Sequence, residues 1–265
     1  MISQLNSDTQ PHPVSVAFSG PDNTGKTKQI GILARRMGVA ATSAGPLDHY
    51  DRRWAGIKAD GMSRWWFGTG PVQEVSDVLA TSYLERSRRL FSAPVRFLDR
   101  GIPMLVASVA VTVAVRENLA APQAADRARC LLAPYETDLR TAEAGECALL
   151  LLRCEDAGEG TRRSLSHEAG VTDIYAAYQR ALHEQINRLV AEGRSAMTMH
   201  IGDRPTVRVQ DEVRRLLAPL HPAIPAGQWQ ACTSPRSVAC RRAARAQSAS
   251  TYGRTTGTPA SRSAT

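Results

Sequence analysis

Gly20-Pro21-Asp22-Asn23-Thr24-Gly25-Lys26-Thr27 satisfies the spacing G-x-x-x-x-G-K-[ST], and its surroundings decide how the rest of the chain is read. It is preceded by Val14-Ser-Val-Ala-Phe18, an apolar run with β-branched members that reads as a buried strand. The segment from Lys26 to about Met37 is compatible with a helix. Strand, glycine loop and helix in that order form a cradle for polyphosphate. Successive backbone N–H groups wrap the anion, glycine permits the tight turn and close approach, and the helix dipole points at the charge. In such a cradle Gly20, Asn23, Thr24 and Gly25 supply the loop, Lys26 reaches the outer phosphate oxygens, and the Thr27 hydroxyl ligates Mg²⁺.

Outward from the loop, strands alternate with helices. Residues 94–99, PVRFLD, form a second buried-strand candidate after a helical stretch from about Val72 to Phe91. In 102–117, Leu105, Val106, Val109, Ala110, Val113 and Ala114 share one helical face. The runs CALLLLR at 147–153 and SAMTMHI at 195–201 suit strands covered on both faces of a parallel sheet. A short strand is expected near Val39 to Thr42, helices from about Val171 to Ala191 and from about Thr206 to Leu217, and no clear element over Thr42 to Gly70. The fold expected is α/β: a doubly wound, mostly parallel five-stranded sheet with helices on both faces, reached by right-handed crossovers.

Composition bounds the rest. The chain has 265 residues and a formal charge of +8, but the six arginines and absent acids of 222–265 leave only +2 for residues 1–221. The basicity therefore belongs mainly to an Ala/Ser/Arg-rich tail that cannot bury enough surface to offset its ordering entropy. The expected organisation is a disordered segment over 1–13, a phosphate-binding domain over 14–221 with a lid loop near 155–170, and a disordered tail over 222–265. No apolar run approaches the ~18 residues of a membrane span, and Met1 to Pro13 lacks the pattern of an export signal. A cytoplasmic location and no membrane partner are expected. Cysteines 130, 147, 154, 232 and 240 show neither a disulfide framework nor zinc-ligand spacing. Nucleic acid is not the expected partner.

GPDNTGKTKQ resembles the loop of thymidylate kinase-like proteins, with Gly20, Asp22, Gly25, Lys26, Thr27 and Gln29 matching; Asn23 stands where that family usually has glycine, and Ser19 where it often has glutamate. The resemblance implies ATP and Mg²⁺ as cofactors and a nucleotide or nucleoside-like small molecule as acceptor, with Asp22 contacting the acceptor's sugar. Asp99-Arg100 ends the second strand, where open α/β sheets bind ligands. It looks like the Asp-Arg pair of these kinases, in which the carboxylate assists Mg²⁺ and the arginine holds the acceptor's phosphate. Gly101-Ile-Pro-Met follows, where the family carries an aromatic, Ser and Tyr-Gln. Arg162 and Arg163 lie where the family's lid bears arginines over the transferring phosphate, a task suited to guanidinium forks.

The expected activity is transfer of the γ-phosphoryl of ATP to a nucleoside monophosphate or nucleoside-like acceptor. A kinase of a small-metabolite hydroxyl and an NTPase switch acting on a protein partner are the alternatives. The Trp54, Trp65, Trp66 and Phe67 group either stacks on an acceptor base or belongs to the core. A homodimer is the assembly to test.

Overall fold

The computed structural model describes residues 14–152, 172–193, 197–201 and 204–218. The readings made for 1–13, for the lid loop with Arg162 and Arg163, and for the tail lie outside them. Five strands, β1 (Val14–Ser19), β2 (Ala41–Ser43), β3 (Val95–Asp99), β4 (Glu146–Leu152) and β5 (Met197–His200), form one sheet in the order β2-β3-β1-β4-β5. All four pairings are parallel. β1 is central, so Val16, Phe18, Phe97, Leu149 and Leu151 are covered from both faces and read as continuous apolar runs.

The helices are α1 (Lys26–Met37), α2 (Arg53–Ala59), the single turn α3 (Met62–Arg64), α4 (Val72–Arg88), α5 (Ile102–Arg116), α6 (Ala121–Leu132), α7 (Glu136–Ala144), α8 (Thr172–Ala191) and α9 (Thr206–Leu217). α1 packs on α9, while α5 packs on α4, α6 and α8. The expected sheet and its helical layers are present, and the fold is a three-layer α/β sandwich.

Two stretches differ from expectation. Residues 42–70 hold α2, α3 and a π turn, Trp65–Thr69, and the unread stretch 118–146 holds α6 and α7. The second pair buries Ala124, Ala128, Leu131 and Leu139 against Val75, Leu79, Leu105 and Val109. α5 is buried nearly all round: Leu105, Val109 and Val113 face that cluster, while Met104, Ala107 and Val111 face α8. A helix enclosed in this way needs no polar stripe. α4 stops at Arg88, three residues short of the expected end, because the Arg96 side chain takes the carbonyls of Arg86, Ser87 and Arg89. No single helix among the described residues is long and apolar enough to cross a membrane.

Candidate functional site

The loop's shape follows from a few backbone demands. Gly20 has φ 144°, and a Cβ there would lie 2.1 Å from the Leu151 carbonyl oxygen on neighbouring β4, so no side chain fits. Gly25 (φ 81°) and Asn23 (φ 62°) take left-handed turns, the second tolerable because asparagine is one of the few side chains that visit that region. The Thr24 hydroxyl donates to the Pro21 carbonyl at 2.9 Å and closes the loop. The Gly25 carbonyl accepts the Gln29 N–H at 2.9 Å, so α1 begins directly at the cradle and its first amides remain for an anion.

Lys26 folds back over this cradle, donating Nζ to the Pro21 carbonyl at 2.7 Å. It is buried. Desolvation, reinforced by Arg100 and opposed by Asp22 and Asp99, brings its ammonium down from 10.5 to about 8.

Asp99 reaches the loop because β3 neighbours β1, with Phe18 and Asp99 directly in register. Thr27 Oγ1 donates to Asp99 Oδ2. A hydroxyl and a carboxylate side by side next to the glycine loop are hard oxygen ligands, and Mg²⁺ is ordinarily held by one or two such groups with phosphate oxygens and waters completing its octahedron. The residues present therefore fit this ion. Among the described residues no cluster of three or more His, Cys, Asp or Glu side chains offers an all-protein cage instead.

The residue after Asp99 faces the other way. Arg100 has φ 65°, left-handed for a non-glycine residue, and its guanidinium forms an ion pair with Asp22 Oδ1. Asp22 Oδ2 accepts the Tyr175 hydroxyl at 2.9 Å and Gln179 Nε2 at 2.6 Å, both from α8. Burial alone would raise the Asp22 carboxyl; Arg100, Lys26 and these two donors outweigh it and hold the group at about 2. Asp22 in turn pushes the Arg100 guanidinium above its ordinary value against the cost of burial.

The turn carrying Arg100 is held at every backbone step. The Arg100 N–H donates to the Phe18 carbonyl at 2.8 Å, the Gly101 N–H to Ser19 Oγ at 3.3 Å and the Ile102 N–H to Glu146 Oε2 at 2.9 Å. A Cβ on Gly101 would meet Glu146 Oε2 at 2.6 Å and Ala17 Cβ at 2.7 Å. Glycine at this position leaves the space that the carboxylate occupies.

These groups open into a cavity of about 630 Å³. Its polar lining includes the loop, Lys26, Thr27, Asp99 and Arg100, and its apolar and aromatic lining includes Leu47, Met62, Trp66, Phe67, Tyr175 and Tyr178. The π turn presents Trp66 and Phe67 to it, and Arg116 pins that turn by donating to the carbonyls of Trp66 (3.2 Å), Gly68 (2.7 Å) and Gly70. Trp66 Nε1 donates to Thr112 Oγ1 at 3.0 Å, which fixes the indole. Phe67 packs edge-on against Tyr175 and Tyr178, with ring centroids 5.5 and 5.1 Å away. Of the four aromatics singled out in the sequence, Trp66 and Phe67 line the cavity, whereas Trp54 and Trp65 lie in the core.

Asp22, Asn23, Gly25, Lys26, Thr27, Asp99 and Arg100 thus share one cavity, and Gly20 and Thr24 shape the loop behind it. Arg162 and Arg163 lie outside the described residues. Gln29, matched in the loop pattern, is buried against Gln210 of α9. Arg204 pairs with Glu212, and Thr206 accepts Lys28 Nζ at 3.2 Å, tying α9 to the foot of α1. Sequence reasoning missed Tyr175, Gln179, Arg86, Arg116 and Glu146. The one available signal was Tyr175, Tyr178 and Gln179 at i, i+3, i+4, a patch on one helical face.

No protein-family model matches the chain, and no curated protein matches it. Among solved structures, the thymidylate kinase of Candida albicans, described as having broad substrate specificity, is similar at a TM-score of 0.56 and 14% identity, over 79% of this chain and 92% of that one. At that identity the likeness is one of fold.

Proposed function

We propose that this chain is an ATP- and Mg²⁺-dependent phosphotransferase that moves the γ-phosphoryl group to a nucleoside monophosphate or nucleoside-like acceptor. One observation carries the reading: a glycine loop with its Thr27–Asp99 oxygen pair, an Asp22–Arg100 pair and aromatic side chains all line a single cavity. Such a cavity can bring a polyphosphate and a flat, hydroxyl-bearing molecule into line. Catalysis is then positioning plus electrostatics. The loop amides and Lys26 hold the donor's phosphates, and Thr27 and Asp99 hold Mg²⁺, which supplies charge neutralisation on the phosphate oxygens. Asp22 and Arg100 orient the acceptor, Trp66 and Phe67 pack on its ring, and Arg162 or Arg163 meets the charge that develops during transfer.

A second reading is favoured by one feature. Arg100, the arginine among the described residues lining the cavity, is already balanced by Asp22. An uncharged hydroxyl, on a nucleoside or another small metabolite, suits that balance better than a dianionic phosphate.

The test is an ADP-release assay with ATP and Mg²⁺ across nucleoside monophosphates, nucleosides and small alcohols. Acceptor-stimulated release supports phosphotransfer and identifies the class. Turnover indifferent to every acceptor supports a hydrolytic switch instead. Replacing both Arg162 and Arg163 by Ala is expected to lower kcat by about a hundredfold with little change in ATP affinity; unchanged kcat removes them from the mechanism.

A further inference from the structure

Arg86 lies near the end of α4, is not among the residues lining the cavity, and is 1% exposed. Its hydrogen-bond partners are two successive main-chain carbonyls: NH1 donates to Asp99 O at 2.7 Å and NH2 to Arg100 O. Beneath it the Tyr83 ring lies 4.6 Å from the guanidinium carbon and covers one face of the cation. Burying an arginine to serve two carbonyls is expensive unless their placement matters, because each carbonyl has ordinary turn or water partners available elsewhere in a protein.

The placement here is demanding. Asp99 must aim at Thr27 while Arg100, one residue on, aims at Asp22, and the reversal between them is made by a left-handed Arg100 (φ 65°). Such a conformation persists only where its surroundings over-determine it. A planar fork gripping both carbonyls fixes the peptide between the two residues in position and tilt. Lysine, a single point of charge, cannot do so.

We infer that Arg86 is a positioning residue that sets the Asp99 carboxylate against Thr27 for the metal, with the Arg100 carbonyl as its second anchor. This deepens the phosphotransferase reading and rests on it. Arg86 touches neither donor nor acceptor; it acts through the backbone of Asp99.

The experiment is calorimetric titration of the full chain with ADP, with and without Mg²⁺, so that no acceptor is needed. In the wild type Mg²⁺ is expected to tighten ADP binding. In Arg86→Lys and Arg86→Gln the Mg²⁺-linked tightening is expected to fall by about tenfold or more, while Mg²⁺-free affinity, set by the loop amides and Lys26, stays within about twofold of wild type. Leu131→Ala, which empties an equally buried site in α6, is expected to lower stability and leave the Mg²⁺-linked factor alone. In an Asp99→Asn background, Arg86→Lys is expected to change that factor no further. An Mg²⁺-linked factor unchanged in both Arg86 variants, equally reduced in Leu131→Ala, or reduced additively with Asp99→Asn, overturns the inference. A wild type whose ADP affinity ignores Mg²⁺ overturns the functional reading and this inference with it.

Discussion

Asp22 on the glycine loop and Arg100 beyond β3 are joined by an ion pair that spans 78 residues of sequence, and both line the cavity. With Tyr175 and Gln179 on its other oxygen, Asp22 ties loop, strand end and α8 together at one carboxylate. Asp22→Asn leaves Arg100 without its counter-charge and is expected to cost about 1–3 kcal/mol in urea unfolding at pH 7. The folded-state value of about 2 lies below the ordinary 3.8, so the stabilisation is fully present above 3.8 and is lost as pH falls through about 2. The wild-type advantage over the variant should therefore narrow across that interval. A gap independent of pH would show that the carboxylate's charge is not what the contact uses.

Lys26 gives a prediction of opposite sign. Its folded value of about 8 lies below the ordinary 10.5, so burial destabilises the free protein below about 8, and that cost is relieved as pH rises toward 10.5. Phosphate restores the charge, so ADP binding near pH 8.5 should take up a fraction of a proton and near pH 6.5 none from this group. Calorimetric enthalpies in buffers of different ionisation enthalpy measure the uptake directly. Lys26→Ala should abolish both turnover and the uptake with little loss of melting temperature.

Gly20→Ala places a methyl group against the Leu151 carbonyl at 2.1 Å, at a φ that alanine avoids. Either β1 and β4 separate or the loop turns outward, at about 2–4 kcal/mol. Nucleotide affinity should fall in the same variant. A melting temperature within a degree or two of wild type would mean that the loop's approach to β4 is looser than the geometry states.

Arg116→Met removes three donors from the carbonyls of the π turn while keeping most of the side chain's bulk. The turn holds Trp66 and Phe67 in the wall, and π turns are frequently built at sites of function. The variant should raise the acceptor KM by about tenfold and leave ATP affinity near wild type, since the cradle is untouched. Equal losses for both ligands would point to general unfolding.

The glycine loop was legible in the sequence because it is local: a strand run, a fixed loop spacing and a helix lie within residues 14–37, and the central strands of the sheet were legible one by one as short apolar runs. Asp99-Arg100 was legible by its place at a strand end. Tyr175 and Gln179 were not, because 153 and 157 residues separate them from Asp22 and only the packing of α8 brings them there. α6 escaped notice because half of its buried stripe is alanine, Ala124 and Ala128, which carries little hydrophobic contrast, and only Leu131 and Leu132 at its end are strongly apolar. Arg86 and Arg116 were hidden by composition: in a chain whose 33 basic residues are nearly all arginine, those that grip main-chain carbonyls look like those that face water.

The pairing of Phe18 with Asp99 makes the β1–β3 ladder a gauge. Strand side chains alternate between faces, so sliding β3 by one residue would put Leu98 where the carboxylate stands and turn Asp99 into an apolar layer. Arg100 would then lose Asp22, and Arg86 would grip the wrong carbonyls. On the proposed reading, metal affinity would report strand alignment: a chain collapsed with β3 out of step would hold all its glycine-loop residues and still lack the Thr27–Asp99 pair. Recovery of Mg²⁺-linked ADP binding during refolding should accordingly lag the return of helical signal and coincide with the last, register-fixing phase.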